Sequence, residues 1–122
     1  METIRDDLAA KMGKSMIGWL RALPLKWLSG DVWAVHAGAD PEIPMDAQSP
    51  DVLLWGHPRF RRRPRADRQW IVHGHTVVET PVVSDKRIAV DTGAYATGRL
   101  SAAAISSEGV TFLQAGPDPI TG

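Results

Sequence analysis

A chain of 122 residues, 43% of them hydrophobic, has room for one domain with a core of moderate size, and a second complete domain is not expected. Its 14 Lys and Arg balance 14 Asp and Glu, so no global charge draws it to nucleic acid or membrane, and any electrostatic partner must be held by a local patch. Cysteine is absent, which excludes disulfides and thiolate metal sites and leaves His, Asp, Glu, Asn or water as ligands for any metal.

The first residues, Met1-Glu2-Thr3-Ile4-Arg5-Asp6-Asp7, are acidic and lack the apolar run of a signal peptide. No apolar segment of the roughly 18 residues that a membrane span requires follows them. The expectation is a soluble cytoplasmic protein with no membrane partner. Leu8, Met12, Met16, Leu20 and Leu23 recur at spacings of four, four, four and three, which predicts an amphipathic helix over 5–22 with its apolar stripe packed into the core. Pro24 ends it. Gly13 and Gly18 each weaken it by about 1 kcal/mol relative to Ala, so the helix depends on that packing.

Asp31 to Val35 reads as a short strand closing in His36-Ala37-Gly38. Residues 39–50 carry three prolines and read as an irregular loop. Asp51 to Trp55 is too short to assign by period, although Asp51 or Ser49 could cap one helical turn there. Residues 56–69 hold six arginines between Arg59 and Arg68 and predict an exposed loop. Trp70-Ile71-Val72 is an apolar strand running into His73-Gly74-His75-Thr76. Short strands follow at Pro81 to Val83, Arg87 to Val90, Leu100 to Ser106 and Val110 to Leu113, with a tight hairpin turn at Ser107-Glu108-Gly109. The tail over 115–122 reads as disordered.

His36 and His75 are the residues on which chemistry is expected, because each ends an apolar strand beside a small-residue turn, where an imidazole can face a cleft and hold a divalent metal. His73 and His75 lie two apart, which on a continuous strand would place both on one face. Gly74 is expected to turn the chain and spoil that chelate, leaving His73 as a pocket residue behind the ligands. The arginine run offers guanidinium forks for phosphate oxygens, against the plainer role of a solvated loop. Asp91-Thr92-Gly93-Ala94 is weakly like the nucleophile loop of aspartic proteases, which needs two carboxylates sharing a proton. A turn in which the carboxylate accepts from backbone amides is the favoured alternative.

Taken in order, Trp19-Leu20-Arg21-Ala22-Leu23-Pro24-Leu25, Val35-His36-Ala37-Gly38, Leu53-Leu54-Trp55, Val72-His73-Gly74-His75-Thr76 and the ten residues from Asp91 to Leu100 (DTGAYATGRL) resemble the C-terminal half of a bacterial metallophosphoesterase. The similar group is the phosphoprotein phosphatase (calcineurin-like) family, with its serine/threonine phosphatases and symmetrical diadenosine tetraphosphatases. The likeness spans about residues 15–113. It implies an α+β fold that is part of a four-layer α/β/β/α sandwich, occupying 1–114. It also implies hydrolysis of phosphate esters by a hydroxide activated between two divalent metals, commonly manganese, with iron or zinc as alternatives.

By that resemblance His36 and His75 are ligands of the second metal, Tyr95 lies at the rim of the cleft and Asp91 is a structural carboxylate behind it. The phosphate-binding arginine expected two residues after Trp55 is replaced by His57, with Arg59 and Arg61 as stand-ins. Three further family motifs, Gly-Asp-x-His-Gly, Gly-Asp-x-x-Asp-Arg-Gly and Gly-Asn-His-Glu, do not occur. The expectation is a truncated phosphoesterase, inactive or nearly so alone, whose partners are a phosphoprotein or dinucleoside polyphosphate substrate and a separate N-terminal fragment or a second copy. The alternative is a non-catalytic module that binds phosphate or polynucleotide through the Arg59 to Arg68 loop.

Overall fold

The computed structural model describes residues 2–117. The protein is α+β: a five-stranded mixed sheet, a two-stranded antiparallel hairpin and three helices. Strands β1 (Lys26–Ser29), β2 (Val32–Val35), β3 (Trp70–His73), β4 (Val82–Ser84) and β5 (Arg87–Ala89) form the sheet in the order β1-β2-β3-β5-β4. The central trio β2, β3 and β5 is parallel, and β1 and β4 flank it antiparallel.

Two tight turns make the antiparallel edges. Asp85 and Lys86 both take positive φ, 50° and 63°, between the paired Ser84 and Arg87, the backbone of a two-residue turn whose twist matches the strands it joins. Gly30 (φ 62°) supplies the bend between β1 and β2. The parallel pairs need longer crossovers. The first of them carries a 3-10 turn at Met45–Ala47 and α2 (Pro50–Trp55). Ser49 is the residue before α2 but its side chain makes no capping bond, and Pro50 occupies the first turn, where its missing N–H costs nothing.

Register decides which side chains share a face. Trp33, Ile71 and Arg87 are aligned across β2, β3 and β5, as are Ala34, Val72 and Ile88 on the opposite face. The first face carries the main core, in which Trp33, Ile71, Ala39, Met45, Leu53 and Phe60 pack together. The 39–69 segment therefore folds back over the sheet. Most of the arginine-rich stretch is exposed as its composition predicts, but Phe60 within it is 3% exposed and belongs to the core. Its ring also lies against Gly38, where any Cβ would stand 2.8 Å from it. Only glycine fits there.

The second face meets the hairpin of β6 (Leu100–Ser106) and β7 (Gly109–Ala115). Contact is incomplete: cavities of about 470 and 270 Å³ lie between Trp27, Val32 or Trp70 on the sheet and Ile105 or Ser107 on the hairpin. β1, at the sheet edge, escapes sequence reading because Lys-Trp-Leu-Ser has no alternation of its own. Among the described residues its only ladder partner is β2, and Trp27 and Leu28 remain exposed.

Helix α1 (Glu2–Arg21) departs from expectation in two ways. It is broken at Gly13 (φ 81°, ψ 160°), a conformation that glycine reaches without a Cβ penalty. Its apolar stripe is also not core: Leu8, Met12, Met16, Trp19 and Leu20 are all exposed. Helical spacing reveals an apolar face but not what covers it. At the other end, β7 runs through Ala115, so the expected disordered tail does not begin at that residue. Residues 118–122 lie outside the described residues. No described helix is long and apolar enough to cross a membrane.

Candidate metal centre

The site arises from strand direction. β2, β3 and β5 are parallel, so their carboxyl ends open on one edge, where a sheet of this kind presents ligands to a crevice. Those ends deliver His36, His75 and Asp91. The turns are tied together by backbone bonds: the Gly74 N–H donates to the His36 carbonyl at 2.8 Å and the Val90 N–H to the His73 carbonyl at 3.2 Å.

His75 follows in the left-handed region, φ 67°, unusual for a residue with a Cβ and typical of places where a surrounding network holds the chain. The network here is Asp91. Its Oδ2 accepts from the His75 N–H at 3.0 Å and its Oδ1 from the Gly93 N–H at 2.9 Å. One carboxylate therefore clamps the two turns, the amide-accepting role weighed against a nucleophile in the sequence. Thr92, 2% exposed, braces the same loop from beneath: its hydroxyl donates to the Arg99 carbonyl at 2.8 Å and lies 2.8 Å from the Ser101 hydroxyl.

The His36 and His75 rings stand side by side, centroids 5.3 Å apart and planes inclined at 63°. Both residues are exposed. Trp55, at the end of α2, sets its ring edge-on to His75 at 6.2 Å and limits how far that imidazole can swing. Beside them lies a cleft of about 310 Å³ that also touches Val72, Asp91, Arg99 and Ser101. Among the described residues no group of three or more His, Cys, Asp or Glu side chains converges. His36 and His75 are the imidazoles that come together.

His73 does not join them. It is 5% exposed and packs edge-on against Phe60, centroids 4.8 Å apart, so the His-x-His pair is split between core and cleft. Burial pushes the His73 imidazole below the ordinary histidine value of 6.5, against the opposing bond to the Gly74 carbonyl, and the Arg87 and Arg61 guanidiniums push the same way. The unfolded chain thus takes up a proton before the folded chain does. Stability from this group is complete above about pH 6.5 and declines as pH falls below it. Urea unfolding at pH 8 and pH 5.5 should show the lower midpoint at pH 5.5, with the difference reduced in His73→Gln. A higher midpoint at pH 5.5 would contradict it.

The other expected residues are scattered. His57 shares a shallow cavity of about 290 Å³ with Trp55, Arg61 and His75, and its Nε2 lies 3.5 Å from Asp40 Oδ2. The Arg59 backbone N–H donates to His57 Nδ1 at 3.1 Å, while its guanidinium and that of Arg63 grip Glu42 at 3.0 and 2.8 Å. Tyr95, on the short helix α3 (Ala94–Thr97), is 91% exposed.

Arg65 is the least expected of the arginine run. Its side chain is 6% exposed and donates to the Asp40 and Ile43 carbonyls at 2.8 Å each and to both oxygens of Asp67, holding the Asp67 carboxyl below the usual range. Arg65 therefore staples the crossover. No signal in a run of arginines separates such a residue from its solvated neighbours. Among the described residues Arg61, Arg62 and Arg68 have no carboxylate partner.

Compared with known proteins, the chain matches no family model and has no significant match among curated proteins.

Proposed function

We propose that the protein is the C-terminal half of a metallophosphoesterase domain, contributing one side of a metal centre for hydrolysis of phosphate esters. The observation that carries this is the pairing of His36 and His75 at adjacent parallel strand ends, with Asp91 clamping the turn that holds His75. The residues suit one divalent ion. For metal–nitrogen bonds of about 2.1 Å, two imidazoles on one cation have ring centroids roughly 4.5 to 5.3 Å apart between octahedral and tetrahedral angles, and the observed separation is 5.3 Å.

Manganese, iron or zinc is the class of ion that such nitrogen ligands accept. When bound, divalent ions of this kind polarise a phosphoryl oxygen and lower the pKa of water. The chain's own part is narrower: His36 and His75 donate ring nitrogens, Asp91 fixes the His75 backbone, and Trp55 restrains the His75 ring. His57 and Arg61, in the cavity beside His75, face the side from which a substrate phosphate would approach.

The second support is exposed apolar surface: Trp19 of α1, Trp27 and Leu28 of β1 and Leu100 and Leu113 of the hairpin are 61, 60, 45, 66 and 61% exposed, and exposed apolar side chains of this size mark places where a further segment can pack. A complementary segment completing a four-layer sandwich would cover part of it and supply the missing ligands. A phosphoprotein or dinucleoside polyphosphate remains the proposed substrate class.

The test is hydrolysis of p-nitrophenyl phosphate with added manganese by the purified chain and by His36→Ala and His75→Ala. The expected result is no turnover by the chain above that of the two variants. Turnover that both substitutions abolish would overturn the half-site reading, because the chain would then complete a working centre by itself.

A further inference from the structure

The geometry points to a second site, a small-oxyanion pocket on the core side of the sheet that takes inorganic phosphate or a terminal phosphate group. Register places Arg87 and Ala89 of β5, His73 of β3, and Val82 and Ser84 of β4 on one face. With Arg61 from the crossover and Thr76 and Val78 from the segment after His75, they line a cavity of about 160 Å³. The cleft beside His36 and His75 shares His73 with this cavity but otherwise touches Ala34, Val72 and Val90, and Ala34 and Val72 belong to the opposite face.

Three features suit an anion. Two arginines, Arg61 and Arg87, line one cavity, and like charges brought together repel unless a negative group lies between them. The Arg87 side chain is 12% exposed and donates to the Arg61 and Arg63 carbonyls at 3.2 and 3.4 Å, with its carboxylate partner, Asp85 Oδ2, at 3.5 Å. Arg61 has no carboxylate partner among the described residues. Thr76 and Ser84 line the same cavity, so its walls carry two guanidinium-bearing and two hydroxyl-bearing side chains, the donor types that a tetrahedral oxyanion takes.

Size narrows the ligand. Pockets for drug-sized molecules start near 300 Å³, so this cavity admits the phosphate group but not an attached nucleoside. Arg61 and Thr76 also line the cavity beside His57 and His75, so variants at His57, His36 and His75 are what separate this site from the metal centre.

The test is titration of inorganic phosphate into chelator-treated chain at low ionic strength, followed by calorimetry or amide chemical shifts. One saturable site is expected. Arg61→Gln should weaken it about tenfold or more, since it removes a charge-assisted donor pair. Ser84→Asp, at an exposed edge position, should abolish it by placing a carboxylate in the cavity. Arg62→Gln, His57→Ala and the His36→Ala/His75→Ala double variant should bind as the parent does. Absence of saturable binding would overturn the site, as would equal losses in Arg61→Gln and Arg62→Gln, the signature of diffuse attraction to the arginine run. Loss in His57→Ala or the double variant would place the anion in the cleft beside His75 and would equally overturn it.

Discussion

Ile71→Ala is expected to lower the unfolding free energy by about 3 kcal/mol, within the range of 2 to 5 typical of buried large-to-Ala changes. Ile71 is fully buried on the middle parallel strand β3, with β2 on one side and β5 on the other. It packs within the cluster of Trp33, Ala39, Met45, Leu53 and Phe60. Trp33 lies on the β2 ladder and the Leu53 carbonyl accepts from the Ala37 N–H at 2.9 Å, so the cavity cannot collapse far. The same substitution at Leu113, 61% exposed, should change stability by less than about 0.5 kcal/mol.

The contrast matters because the core is small. Of five tryptophans, only Trp33 is buried, and small domains sit near the low end of the 5 to 15 kcal/mol range of native stabilities. Losing about 3 kcal/mol should therefore leave a measurable unfolded fraction at 37 °C. Urea denaturation of the two variants against the parent checks this. A loss below about 1 kcal/mol for Ile71→Ala would mean that the cluster over the 39–69 segment is not what holds the sheet together.

What could be read in advance follows from how local each signal is. The strands ending at His36 and His75 are apolar runs broken by glycine-bearing turns, and both are found within a residue or two of where they were expected. Their adjacency is different in kind. β2 and β3 are separated by 34 residues of crossover between Val35 and Trp70, and parallel pairing across such a span is decided by long-range packing that no local pattern records. The sequence placed both imidazoles at strand ends; the 5.3 Å between them needed the sheet order.

The arginine stretch shows the same limit. Its composition signals solvent exposure, yet Phe60 is core and the Arg65 side chain is buried among carbonyls. In both cases the deciding partners, His73 for one and Asp40 with Ile43 for the other, lie far away in sequence. In α1 the failure is reversed. Its apolar spacing is plain, but periodicity carries no information about whether a surface to receive that stripe exists in the same chain.

The most direct test of the account is manganese binding by the chain and by His36→Ala and His75→Ala, measured by calorimetry with parallel detection of imidazole resonances using a diamagnetic ion such as zinc. If His36 and His75 form one side of a metal centre, one ion binds per chain and both ring signals shift together along a single isotherm. Each substitution should then weaken binding by about tenfold or more, in line with losses of 10- to 100-fold on disturbing even the outer shell of metal sites. Retention of affinity in both variants, or shifts confined to His57 or His73, would contradict the proposed centre.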